Sequence, residues 1–260
     1  MLRNLKMRFA YDVVGNKDKA VAILPQKIGI SDKKAAKEIM SRHKSVKSVL
    51  KKLGGRKADY RIFECKLIAG DPNTEVVHKE YGYMIKLDPK VVYFSPREAE
   101  ERRRIAELVK PKERILIMFS GIAPFALAIK KRQPDCEIVC IDVNLQAIKY
   151  AMENVRLNRM QGIRNFCLNA RNAEDFGVFD RIVMPLPENS LHYLDTAFAC
   201  TRRGSIIHLY AISREDYKDV ERRIEEVARD VNIRYKILNK KRVLPFAPRV
   251  DKVRIDIQAL

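Results

Sequence analysis

Residues 91–125 read VVYFSPREAEERRRIAELVKPKERILIMFSGIAPF, and the part from Arg114 to Pro124 decides the fold. Arg114-Ile-Leu-Ile-Met-Phe119 is a short apolar run of the kind that forms a buried strand. Ser120-Gly-Ile-Ala-Pro124 is a small-residue turn, and a helical pattern follows it. A strand, a tight turn and a helix in this order is how α/β sheets hold an adenosine-bearing cofactor. Just upstream, Ser95 reads as an N-cap, Pro96 as the first helical residue and Glu98 as the acidic third position of a capping box. The helix that begins there is expected to reach about Val109, closed by Pro111. Arg97, Glu101, Ile105 and Leu108 recur at helical spacing along it. One carboxylate, Glu101, therefore shares a face with the apolar stripe.

Beyond Phe119 the pattern alternates. Strands are expected at 115–119, 137–141, 163–168, 180–184, 205–210, 233–243 and 250–258, and helices at 124–132, 145–157, 189–200 and 214–230. That order predicts a Rossmann-like α/β domain over residues 95–260, a mainly parallel sheet ending in an antiparallel edge hairpin. Ligands of such sheets lie beyond the carboxyl ends of the strands. Gly121 lets the backbone approach a ligand there. Asp142, ending the next strand about 20 residues on, is placed to accept ribose hydroxyls; it is equally well spaced to cap a helix starting near Asn144. Pro185-Leu-Pro187 follows the fourth strand and reads either as a rigid platform or as a plain turn.

Residues 1–94 read as a small α+β module. Asp12–Gly15 and Ala20–Pro25 are strand-like. Ser31 caps a helix expected to run through Ala35, Ile39, Val46, Val49 and Leu53 to Gly54-Gly55, with seven lysines on its other face. Tyr60 to Ile68 alternates as a strand that puts Arg61 on the side of Phe63, Cys65 and Leu67. Further strands are expected at 75–78, 83–87 and 91–94. The chain of 260 residues carries 52 Lys+Arg against 33 Asp+Glu, a formal charge of +19. The cations are spread along the sequence, which predicts a folded surface for a polyanion such as RNA. Five cysteines form no CxxC pair, and with four histidines there is no zinc-ligand spacing. A reducing, cytoplasmic setting fits that usage, and no apolar run approaches membrane-spanning length.

Taken together, Tyr11-Asp-Val-Val-Gly15, Arg61, Val77-His-Lys-Glu80, Val92-Tyr-Phe-Ser-Pro-Arg97, Glu101-Arg102, Met118-Phe-Ser-Gly121, Ile207-His208 and Ala247-Pro-Arg249 resemble the tRNA guanine-37 N1-methyltransferases of archaea and eukaryotes. Those enzymes share their architecture with the aminocarboxypropyl transferases of the wybutosine pathway. The resemblance covers nearly the whole chain. It implies a class I methyltransferase sheet preceded by an RNA-binding module. The implied cofactor is S-adenosyl-L-methionine and the implied partner is tRNA; a monomer is expected, with no metal and no membrane. The resemblance gives Glu101 the role of general base and Arg61 that of the group steadying guanine O6. It places Met118, Phe119, Gly121, Asp142, Asn169 and Pro185 at the cofactor, and Arg97, Arg102 and Pro187 at the substrate. The chain departs from the family's pattern at Ile117, Ala123, Asn169 and Pro185. Those departures leave open a tRNA-binding paralogue without catalysis, and the shared architecture leaves open the aminocarboxypropyl transfer, which would not need a base at N1.

Overall fold

The computed structural model describes residues 9–56 and 63–260. The chain divides into two compact units, residues 1–100 and 101–260. In the first unit β1 (Asp12–Gly15) and β2 (Ala20–Leu24) pair antiparallel. Their turn is held by Asn16, whose Oδ1 accepts from the backbone of Asp18 and Lys19. Helix α1 (Asp32–Arg42) is capped by the Ser31 side chain. It crosses over to β3 (Val46–Arg56), which lies parallel to β2 and antiparallel to β4 (Phe63–Gly70). Ala20, Ala22 and Leu24 pack on Ala35, Ala36 and Ile39, with Val46 and Val49 completing this core. β5 (Val76–Glu80) and β6 (Tyr83–Leu87) form a separate hairpin.

Two expectations for this unit are corrected. The helix expected from Ser31 to Leu53 stops at Arg42, where His43 leaves helical geometry, and its second half is β3. Spacing at 39, 46, 49 and 53 suits a helix, but β-branched Val46 and Val49 suit a strand equally well, and as a strand the segment satisfies the facing edges of β2 and β4, which a helix there would leave unpaired. Val91–Phe94 is not a strand: the amides of Val91 and Val92 both turn back to the Asp88 carbonyl. The capping box at Ser95 is also not made. Ser95 has no side-chain cap bond, Pro96–Glu98 is a single 3-10 turn, and the α-helix proper, α2, is Ala99–Leu108.

The second unit is built on a seven-stranded sheet. Its strands are β7 (Arg114–Met118), β8 (Glu137–Asp142), β9 (Ile163–Cys167), β10 (Phe179–Met184), β11 (Thr201–Ser213), β12 (Tyr235–Ala247) and β13 (Val250–Ala259), in the order β12-β13-β11-β10-β7-β8-β9. β7 through β11 run parallel, and β13 is antiparallel to both of its neighbours. The order reverses at β7, which has β8 on one side and β10 on the other, so the crevice of this sheet opens at the end of β7. Helices α3 (Pro124–Arg132), α4 (Leu145–Leu157), α5 (Leu194–Ala199) and α6 (Lys218–Asp230) supply the covering layers. One face of the sheet, with Leu116, Met118, Ile182, Leu209 and Ile255, packs against Leu194, Phe198, Ile224 and Val227 of α5 and α6. β12 forms the edge. Three register shifts interrupt it and Lys236, Lys240, Lys241 and Arg242 stud it, features that discourage edge-to-edge pairing.

Candidate functional site

At the carboxyl end of β7 alternate residues adopt left-handed backbone: Phe119 at φ 55°, Gly121 at 55° and Ala123 at 63°. For Phe119 and Ala123 this costs on the order of 1 kcal/mol or more each, strain of a kind that concentrates at ligand sites. The turn is tied to the neighbouring strand. Ser120 N donates to the Ile141 carbonyl at 3.0 Å and Gly121 N to Asp142 Oδ2 at 2.7 Å. The other oxygen of Asp142 accepts from Asn144 N at 2.8 Å. The cap of α4 is Asn144, whose Oδ1 accepts from Gln146 and Ala147. Asp142 is thus the link between the two turns and not the helix cap.

A nucleoside cofactor fits these residues. A Cβ placed on Gly121 would meet nothing within 4 Å, so the backbone there faces open space. The Asp142 carboxylate ends β8 directly beside the Gly121 turn. Val143 and Leu168, at the ends of β8 and β9, leave large apolar side chains exposed, as a purine face requires. Asn169 caps the next 3-10 turn by accepting from Arg171 N at 2.9 Å, which leaves its NH₂ as a donor. Phe119 meets Tyr193 edge-on at 5.0 Å, and Arg171 lies over the Tyr193 ring at 4.8 Å. Met118 is fully buried in the core and offers only backbone. Pro185 and Pro187 are buried in a loop secured by Ser190, which donates to the Met184 carbonyl at 2.8 Å.

Glu101 sits in the first turn of α2, 4% exposed. Its Oε1 accepts from Tyr210 Oη at 2.9 Å and Arg254 Nη1 at 2.5 Å, while Oε2 accepts from Arg104. From Arg254 the contacts continue inward. Arg254 Nη2 donates to Asp256 Oδ2 at 3.0 Å, His208 Nδ1 lies 2.7 Å from Asp256 Oδ1, and Arg181 Nη1 lies 2.7 Å from His208 Nε2. Arg181 then makes a bidentate pair with Glu113 at 2.7 and 2.9 Å. A guanidinium only donates, so Nε2 of His208 accepts and its proton sits on Nδ1, facing Asp256. Burial lowers the His208 value, against the pull of Asp256, and the imidazole is neutral. Burial alone would raise Asp256, but the His208 hydrogen bond and the Arg254 charge outweigh it and hold the carboxyl below its ordinary range.

Of the residues singled out from sequence, Gly121 and Asp142 are directly bonded, and Phe119, Asn169 and Pro185 follow the ends of β7, β9 and β10. Arg97 belongs to the first unit, exposed and paired with Asp12 at 2.6 Å, off the helical face it was expected to share. Leu108 is also exposed, so only Glu101 and Ile105 of that stripe are buried. Arg102 is a buried side chain, 2% exposed. Arg61 lies outside the described residues. Tyr210, Arg254, Asp256, Arg181 and Glu113 escaped sequence reasoning. Their one signal was Lys252, Arg254 and Asp256 alternating with Val253, Ile255 and Ile257, a pattern ordinarily taken for a solvent face.

A family model described as the TRM5/TYW2 methyltransferase domain matches residues 76–238. The chain belongs to this family. Among the TRM5/TYW2 proteins, the tRNA (guanine(37)-N(1))-methyltransferase Trm5b of Pyrococcus abyssi is 33% identical over 252 residues, 96% of this chain and 74% of that one. A tRNA(Phe) (4-demethylwyosine(37)-C(7)) aminocarboxypropyltransferase of Methanocaldococcus jannaschii is 28% identical over 201 residues, 76% of this chain and 80% of that one. The solved complex of aTrm5 and tRNALeu superposes with a TM-score of 0.85 at 28% identity, covering 97% of this chain and 72% of that one. Among the described residues no cluster of His, Cys, Asp or Glu is built to hold a metal ion, and no helix is long and apolar enough to cross a membrane.

Proposed function

We propose that the chain transfers the methyl group of S-adenosyl-L-methionine to N1 of guanine-37 in tRNA. The observation that carries this reading is Glu101, a buried carboxylate oriented by three donors, at the position to which the family resemblance gives the general base. N1 of guanine carries a proton. As its electron pair forms the new N–C bond and the S–CH₃ bond breaks with its pair going to sulfur, that proton passes to Glu101. The cofactor, when bound, supplies the electrophilic methyl. Gly121 and Asp142 hold its ribose end, with Asn169, Val143 and Leu168 at the purine and the Phe119 and Pro185 segments completing the rim. By resemblance Arg61 steadies guanine O6, and Arg97, Arg102 and Pro187 bear on the substrate. Residues 1–94 serve as the tRNA-binding domain and 95–260 as the methyltransferase domain. Five free thiols support a reducing, cytoplasmic setting.

The experiment is incubation of the purified chain with labelled S-adenosyl-L-methionine and an unmodified tRNA transcript carrying G37, followed by nucleoside analysis. The expected product is 1-methylguanosine, with none from a transcript carrying A37. Glu101→Gln should lower the single-turnover rate roughly 100-fold or more. A product heavier by an aminocarboxypropyl group, or tRNA binding without any transfer, would overturn the reading.

A further inference from the structure

The two oxygens of Glu101 are not equivalent. Oε1 has two donors, Tyr210 and Arg254, which fill its two in-plane acceptor positions. Both belong to the sheet interior, at 0% and 1% exposure, and face each other across the β11–β13 ladder, where Tyr210 registers with Arg254. Among the described residues Oε2 has one donor, Arg104, whose side chain is a third exposed and rides on the same helix. One oxygen is therefore fixed from inside, and the other is covered by a partner with room to move.

Arg254 is itself held. Asp256 fixes its guanidinium, His208 registers opposite Asp256 and bonds to it, and Arg181 follows from β10. Arg181 ends the chain of contacts on Glu113 and on the carbonyl of Leu108, the last residue of α2, at 2.8 Å. The same buried lattice thus grips α2 at both ends, by Glu101 in its first turn and by Leu108 in its last. Along this chain of contacts Glu101, Asp256 and Glu113 face Arg104, Arg254 and Arg181, with His208 neutral, and buried Lys252 lies beside it over Tyr210.

We propose that Tyr210 and Arg254 are positioning residues that hold Oε1 of Glu101 inward, so that Oε2 is the oxygen that takes the proton from guanine N1. The inference rests on the reading of Glu101 as the base. Docking of guanine displaces Arg104 from Oε2, and the bonds of Oε1 to Tyr210 and Arg254 stay in place. Removing an interior donor lets the carboxylate rotate and lowers the rate of transfer without touching the ribose crevice or the tRNA surface.

Tyr210→Phe is the informative variant. It removes one oxygen and keeps the ring that packs on Phe125 at 5.8 Å and beneath Lys252 at 5.0 Å. Single-turnover rates at saturating S-adenosyl-L-methionine and tRNA should fall roughly tenfold to a hundredfold, the worth of one hydrogen bond to a charged group. Dissociation constants for cofactor and tRNA, measured by calorimetry and filter binding, should stay within about twofold. Arg254→Lys, which keeps a cationic donor, should retain more rate than Arg254→Met. A wild-type rate in Tyr210→Phe overturns the proposal, as does a loss confined to binding or to the urea midpoint. Glu101→Gln in the same assay separates the two ideas. If it is inactive while Tyr210→Phe is normal, only the positioning role fails; if it is fully active, the base reading fails and takes this one with it.

Discussion

At the scale of single residues, Asp142 shows how one side chain ties two turns together. Its two oxygens hold the Gly121 turn and the start of α4 in fixed relation, at 2.7 and 2.8 Å, and the proposed ligand of this carboxylate at the end of β8 is the ribose diol. Asp142→Asn keeps the size but loses one acceptor and the charge. Its affinity for S-adenosyl-L-methionine should fall about tenfold or more by calorimetry, with tRNA affinity unchanged. Equal cofactor affinity in the variant would remove Asp142 from the ribose. Ala123 is the opposite case, a non-glycine in left-handed backbone at 0% exposure, where the buried methyl is retained in spite of its backbone cost.

At the scale of elements, the β10–β11–β13 ladder carries a charged lattice inside the protein, and its protonation states set how the fold responds to acid. The His208 value is lowered by burial. The unfolded chain therefore takes up a proton first as pH falls below about 6.5, and stability is lost through that window. Asp256, held below the ordinary carboxylate range despite its burial, contributes stability that is present above about pH 3.9 and lost as pH falls through its folded value. Both groups act in the same direction. The urea midpoint should drop between pH 7.5 and 5.5, and His208→Asn, which retains a donor toward Asp256 and cannot be protonated, should flatten that drop. Parallel slopes in the two proteins would mean that other groups govern the acid response.

At the scale of the whole molecule, a formal charge of +19 sets the terms of association with a polyanion. Cations that neutralise phosphates release counterions, so affinity for tRNA should fall at least about tenfold between 50 and 200 mM salt, linear in the logarithm of concentration. A flat response in filter binding would show that the basic residues serve solubility alone. Several cations are already engaged within the protein: Lys51 with Asp32, Lys240 with Glu221 and Arg242 with Asp251. Such pairs are already cancelled in the net charge, and the slope of that salt dependence measures how many of the remaining cations meet phosphate.

The sequence by itself determined the catalytic unit's framework. The β7 strand, its Gly121 turn, and helices α3 and α4 at 124–132 and 145–157 stand where spacing placed them, because periodicity, capping and small-residue turns act within a few residues. Tertiary structure decided the rest. Val46–Leu53 fits a helix or a strand by pattern, and the presence of β2 and β4 on either side made it a strand. Lys252, Arg254 and Asp256 look like a wet face of β13, and they are buried because other elements, α2 with Glu101 among them, close over that face. Local chemistry chooses an element's type, but the dielectric around a charge is set by which neighbours close over it. For that reason Glu101 could be singled out from the chain as a candidate base, while Tyr210 and Arg254, which bond to it, became visible only in the folded sheet.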